Sequence, residues 1–120
     1  MKHNTYEGYH DGQQTWYQCV LNGDPFNPKP SQKIHNHSPD GFSWGYSGSG
    51  PHQLALAILL EETDDPEFAQ KHYTRFLREV VSRLDNHFKI TSADLQPLLG
   101  SYSQTMLSSV RQRDVSYDPE

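Results

Sequence analysis

A chain of 120 residues suffices for one domain with its own core. Fifteen acidic against ten basic residues leave a net charge of −5, which excludes a general nucleic-acid coat but leaves room for a small anion in a local basic pocket. The single cysteine, Cys19, excludes an intrachain disulfide, and the longest apolar run, Leu54–Leu60, is too short to span a membrane. With a polar start at Met1-Lys2-His3-Asn4 and a mean hydropathy of −0.86, the expectation is a soluble cytoplasmic protein. It forms one domain over 1–120, with loose ends at 1–4 and 114–120.

Residues 5–9, TYEGY, have the composition of a short strand. His10-Asp11-Gly12-Gln13 supplies turn chemistry, and Thr15–Leu21 is a second strand rich in β-branched and aromatic residues. Asn22-Gly23 is a two-residue hairpin signal, after which Asp24-Pro25-Phe26 can pair back briefly. Residues 27–40 carry three prolines and no periodicity, which predicts a long loop. Phe42, Trp44 and Tyr46 are spaced by two, so in a third strand they share one face.

Gly45, Gly48 and Gly50 then lead into Pro51, a residue suited to a first helical turn, and into an apolar helix. A glycine loop entering a helix presents N–H groups and a partial positive charge, hence an anion site. The same glycines also serve a tight strand-to-helix turn, and both readings stand. Asp65-Pro66-Glu67 opens the second helix, about 66–84, with a cap, a first-turn proline and an acid at the positive end. Its stripe is Phe68, Ala69, His72, Tyr73, Phe76, Leu77, Val80 and Leu84. Lys71, Arg75, Arg78 and Arg83 flank it, either as a patch for phosphate or as a solvated face with pairs such as Arg75–Glu79. Asn86–Ile90 is an extended connector or sheet-edge strand. Thr91-Ser92-Ala93-Asp94 signals a short third helix that Pro97 limits and Gly100 ends, and Tyr102–Arg113 is a further helical segment. The whole predicts an α+β fold: a small antiparallel sheet of three to five strands, two main helices on one face and a short C-terminal helical piece.

Seven histidines raise a metal reading through His10, His35 and His37, but no Cys-x-x-Cys or His-Glu-x-x-His accompanies them. No metal and no cofactor is expected. Ser47, Ser49 and Cys19 are conceivable nucleophiles. However, the loop fails the Gly-x-Ser-x-Gly elbow, since a glycine follows Ser47 one residue too early, and it lacks the Lys-Ser/Thr of a P-loop. Asp64 and Asp65 are adjacent and suit caps better than an acid–base pair. The aromatic set Tyr6, Tyr9, Trp16, Tyr17, Phe42, Trp44 and Tyr46 suits base stacking, or else a core under the helices. The resulting reading is non-enzymatic.

The run His37-Ser38-Pro39-Asp40-Gly41-Phe42-Ser43-Trp44-Gly45-Tyr46-Ser47-Gly48-Ser49-Gly50-Pro51, continued by Gln53 to Leu59, closely resembles a family of small bacterial and phage domains. These share His-Ser-Pro-x-Gly-Phe-x-Trp-Gly-Tyr-x-Gly-Ser-Gly-Pro-x-x-Leu-Ala-Leu. The resemblance extends over residues 5–99, taking in the Asn22-Gly23 turn and the Phe76–Val81 segment. More loosely, a sheet followed by helices is similar to the Thoeris anti-defence protein 1 sponges of phages. That likeness implies sequestration of a cyclic nucleotide or cyclic ADP-ribose-type immune signal by a homo-oligomer, without cleavage. It sets Arg111 and Arg113 where C-terminal phosphate-binding arginines are expected. The expected ligand set is therefore Trp44, Tyr46, Ser47, Gly48, Ser49 and Gly50, with Arg75, Arg78, Arg111 and Arg113. The alternative is a protein-interaction module inhibiting a host or defence protein. The narrow stripe of Tyr102, Met106, Leu107 and Val110 predicts a homodimer interface.

Overall fold

The computed structural model describes residues 2–12 and 17–115, the side chains of 104–115 excepted. Strands β1 (Thr5–Tyr9), β2 (Gln18–Leu21), β3 (Asp24–Pro25) and β4 (Phe88–Thr91) form one antiparallel sheet in the order β3-β2-β1-β4. Helices α1 (Lys29–Ile34), α2 (Ser49–Thr63), α3 (Pro66–Glu79) and α4 (Ser92–Val115) complete an α+β domain. The connector at 86–90 thus supplies an edge strand, paired to the central β1. The start of the predicted second strand, with Trp16, lies outside the described residues.

Register sorts the sheet into two faces. Tyr6 stands opposite Leu21 and Ile90, and Gly8 opposite Cys19 and Phe88, so these six share the inner face. Thr5, Glu7, Tyr9, Gln18, Lys89 and Thr91 fall on the other face, which is polar apart from Tyr9 and the buried Val20. Asn22 and Gly23, at φ 55° and 89°, make the two-residue turn that matches strand twist.

Helix α2 is buried along nearly its whole length, from Gly50 to Leu59, because it lies beneath both α1 and α3. Its end and the next beginning are two adjacent aspartates with separate duties. Asp64 takes the left-handed position at φ 53° and pairs with Lys2 at 2.8 Å. Asp65 Oδ1 accepts the N–H groups of Glu67 and Phe68, both at 3.1 Å, and caps α3. Helix α3 then buries Ala69, His72, Phe76 and Leu77. It stops at Glu79, and a 3-10 turn, Val81–Arg83, carries the remainder of the predicted segment.

Three expectations are corrected. Residues 42–46 form no strand: Gly41 and Gly45 sit at φ 115° and 87°, which turns the chain and breaks the alternation. Trp44 is therefore buried at 2% exposure while Tyr46 is 47% exposed. The stretch 27–40 is not all loop, since Pro28 and Pro30 occupy the start of α1, where a missing N–H costs nothing. Pro97 and Gly100 do not divide the C-terminal helix. Leu95 and Tyr102, at 2% and 0% exposure, lie two turns apart on one face and hold α4 continuous across both. Its start is a reciprocal capping box, in which Asp94 Oδ2 accepts the Thr91 N–H at 3.0 Å and Thr91 Oγ1 accepts the Asp94 N–H at 3.2 Å.

The segment ahead of β1 is tied down from Lys2 onward. Glu62 Oε2 accepts from the Tyr6 hydroxyl at 2.7 Å, the Ser92 hydroxyl at 2.9 Å and Asn4 Nδ2 at 3.0 Å. One carboxylate thereby joins β1, α2 and α4, and burial first, then the bond to Glu62, holds the Tyr6 phenol far above its ordinary range. Among the described residues, no helix is long and apolar enough to cross a membrane.

Replacing Glu62 by Ala leaves the Tyr6 and Ser92 hydroxyls without the acceptor for their protons, with only the contacts that they accept from Asn4 remaining. The expected loss is about 3 kcal/mol in urea unfolding, against about 1 kcal/mol for Asp65→Ala, which removes only an exposed cap.

Candidate functional site

A cleft of about 870 Å³ opens between the sheet and the N-terminal end of α2. Tyr17, Cys19 and Phe26 line it from the sheet side. Asp40, Phe42, Ser43 and Tyr46 come from the loop before α2, and Ser49 and Gly50 from its first turn.

Close approach of that loop to the helix depends on Gly50. A Cβ there would stand 1.9 Å from Ser43 Oγ and 3.1 Å from the Ser43 N. With no side chain in the way, Ser43 is buried and its hydroxyl bonds Tyr46 Oη at 2.8 Å, which orients the exposed ring at the cleft rim. Phe42 lies against Phe26, with centroids 5.1 Å apart. Gly48 is extended, and the Tyr46 ring lies over it.

Trp44 anchors this loop from below. Its indole N–H donates to Asp85 O at 2.9 Å, and its ring meets Tyr17 and Phe88 edge-on, each at 4.9 Å. The two rings Trp44 and Phe88 fit over β1 only because Gly8 has no side chain, since a Cβ would come within 2.7 Å of both.

The cleft wall is held by Gln53, which is fully buried. Its Oε1 accepts the His37 and Ser38 N–H groups at 2.7 and 2.9 Å. Its Nε2 donates to Ser31 Oγ at 2.9 Å and His35 O at 3.1 Å. All four hydrogen-bonding positions of one amide are thus used to fasten α1 and the following loop to α2.

Asp40 is the only charged side chain among the described lining residues. Burial pushes the Cys19 thiol up to about 12, so it stands in the cleft as a neutral group. The Tyr17 phenol is raised by burial and by Tyr46. The first turn of α2 contributes the positive end of a fifteen-residue helix.

The ten expected ligand residues are therefore divided. Tyr46, Ser49 and Gly50 line the cleft; Ser47 is exposed beside it, Gly48 caps α2, and Trp44 is structural. Arg75 and Arg78 lie on α3 and do not line it. Arg75 Nε pairs with Glu79 Oε2 at 3.0 Å, and its guanidinium lies 4.5 Å over the Tyr102 ring. The hydrogen bond from Arg75 is the main reason the Glu79 carboxyl sits below its usual range, with the Tyr102 hydroxyl helping at 3.0 Å. The side chains of Arg111 and Arg113 lie outside the described residues.

The histidines also find places. His35 and His37 stack at 3.9 Å with 12° between planes, and His52 follows at 5.2 Å from His37. Among the described residues no group of His, Cys, Asp or Glu is arranged to hold a metal ion. Stacking presents ring faces to one another, whereas a metal needs converging ring-edge nitrogens. Gln53 and Phe26 were absent from the sequence reading of the site, while Tyr17 stood only in the wider aromatic set and Cys19 only among the conceivable nucleophiles. A lone amide heading an apolar helical run was the one available signal for Gln53.

The fold and cleft define a small α+β domain with an aromatic-sided hollow at the head of a buried helix. The chain matches the family of unknown function DUF6166 over residues 6–101 and belongs to it. No curated protein and no solved structure matches the chain.

Gln53→Leu leaves two backbone N–H groups of the wall without an acceptor, and an expected loss of about 2–4 kcal/mol follows in chemical denaturation. Cys19 is expected to react with a thiol reagent at about pH 8 at least roughly 100-fold more slowly than free cysteine, because the attacking thiolate is scarce and shielded.

Proposed function

We propose that this protein binds and holds a small nucleotide-type ligand in the cleft without converting it. The observation that carries the reading is the lining of this open cleft by the Tyr17, Phe26, Phe42 and Tyr46 rings, ended by the first turn of α2. Aromatic faces suit a base, and the helix end suits an anionic oxygen. A hollow of about 870 Å³ is of the right size for such a molecule. Two groups inside favour binding over attack. Cys19 is a neutral thiol, and the Ser43 hydroxyl is bonded to Tyr46. With Asp40 as the one charged residue among its described lining, the cleft itself offers a phosphate no cationic side chain.

The looser likeness to Thoeris anti-defence sponges narrows the proposal to a cyclic ADP-ribose-type or other cyclic nucleotide signal. It also extends the proposal to a homodimer. Arg111 or Arg113 of one copy would then bring to the other copy's cleft the cationic side chain that its described lining lacks. A second reading, a protein-interaction module, draws on Tyr9 and Tyr46, the most exposed large apolar side chains among the described residues, at 37% and 47%.

Calorimetry with adenosine, AMP, cyclic ADP-ribose isomers and cyclic dinucleotides tests these readings. Binding of at least one, with the ligand recovered intact, is the expected result. Turnover would make the protein an enzyme, and no binding would leave the interaction module. Phe42→Ala and Tyr46→Ala are each expected to cost about 1–3 kcal/mol of affinity, the range for one base stacked on one ring. Arg75→Ala should leave Kd unchanged. Truncation after Ser103 keeps the buried Tyr102 and is expected to weaken both binding and assembly. A truncated chain that binds as tightly as the full one would remove the arginine-sharing dimer from the proposal.

A further inference from the structure

The wall of the cleft is also the site of the histidine stack. His37 stands at its centre, facing His35 from the end of α1, His52 from α2 and Tyr73 from α3. Its Nε2 lies 2.7 Å from the Tyr73 hydroxyl, and its own N–H is one of the two held by Gln53. Ser38, Asp40, Gly41, Phe42 and Ser43, directly after it, line the cleft. Among the described residues, no carboxylate forms an ion pair with His35, His37 or His52.

We propose that His37 is a proton-sensitive latch on the cleft wall: protonation of its ring releases residues 37–43 from α2 and α3 and opens the cleft, while the sheet and α2 stay folded.

The physical reason is local. A proton on His37 places a cation in a half-buried position, with His35 and His52 in contact and no anion to answer it. Burial first, and then the two neighbouring imidazoles, hold His37 below its ordinary value of 6.5. In the released segment the ring regains that ordinary value. The closed wall is therefore favoured above about pH 6.5 and loses ground as pH falls below it. His72 is lowered as well, by burial and then by Arg75 and Lys71, but it sits between Phe68 and Tyr102 in the α3–α4 core. Its titration would loosen a different region.

Hydrogen exchange of the full chain, corrected for intrinsic rates, separates the two. Between about pH 6.5 and pH 5.5 the amides of 37–43 are expected to lose protection by up to about fivefold, the most that one coupled proton with an ordinary value of 6.5 in the released segment gives over that interval. The amides of β1 and β4 should hold theirs. His37→Gln keeps a hydrogen-bonding group without a titrating one and should abolish the change. Unchanged protection of 37–43 in the wild type, or the same loss in His37→Gln, would overturn the latch. Should the variant fold poorly, the wild type decides by NMR. The midpoint of the His37 ring titration must match that of the wall amides, and a mismatch rejects the proposal. None of these readouts uses a ligand, so the latch and the binding reading stand or fall separately.

Discussion

One buried amide decides where the cleft wall stands. Gln53 lies on a helix whose other inward positions are apolar, and its four hydrogen bonds all reach outside that helix. Placing a polar side chain at 0% exposure is costly unless every donor and acceptor is answered. Here the answering groups are mostly backbone atoms of a segment with little regular structure. That segment has few partners of its own, so the amide substitutes for a strand ladder. The wall is ordered by one residue four positions into α2, and the cleft inherits its shape from that contact.

Close approach is the second constraint, and it depends on what two glycines lack. Gly8 lets Phe88 and Trp44 approach the central strand closely, and Gly50 lets Ser43 touch the first turn of α2. Each removes a Cβ where an aromatic ring or a loop needs the space. Trp44 then ties the loop to the chain after α3 through Asp85 O, while the Gly45 N–H donates to Val81 O at 3.0 Å. The loop is thus gripped from both sides: α2 and Gln53 above, Trp44 and the 3-10 turn below. A loop held this way can present Phe42 and Tyr46 at a rim without belonging to a sheet.

Charge is distributed to match. Arg75 of α3 is engaged away from the cleft, with Glu79 and Tyr102, and Arg78 does not line the cleft. Glu62 gathers Asn4, Tyr6 and Ser92 at the far end of α2. The one long apolar helix therefore carries a polar fastening near each end, Gln53 for the cleft wall and Glu62 for the sheet and α4. Between them the run Leu54–Leu60 is apolar, and it is buried as far as Leu59.

The local elements were legible in the sequence because their causes are local. TYEGY, the Asn-Gly turn, the Asp65 cap, the amphipathic stripe of α3, the Arg75–Glu79 pair and the Thr91–Asp94 box each depend on neighbours within about one turn or hairpin. The α+β class followed from their order. What required tertiary structure was every feature set by distant partners. The spacing of Phe42, Trp44 and Tyr46 suggested a strand, but two glycines at positive φ and the Asp85 carbonyl made it a gripped loop. Pro97 and Gly100 promised a break, but burial of Leu95 and Tyr102 carried the helix through. Of the candidate site, sequence located the Tyr46–Gly50 rim, whose glycines and helix start are local signals. It offered Tyr17 only within a wider aromatic set and Cys19 only as a conceivable nucleophile, and it did not supply Phe26 or Gln53, because their places arise only when β2, β3 and α1 are folded against α2, and no short-range pattern encodes that contact.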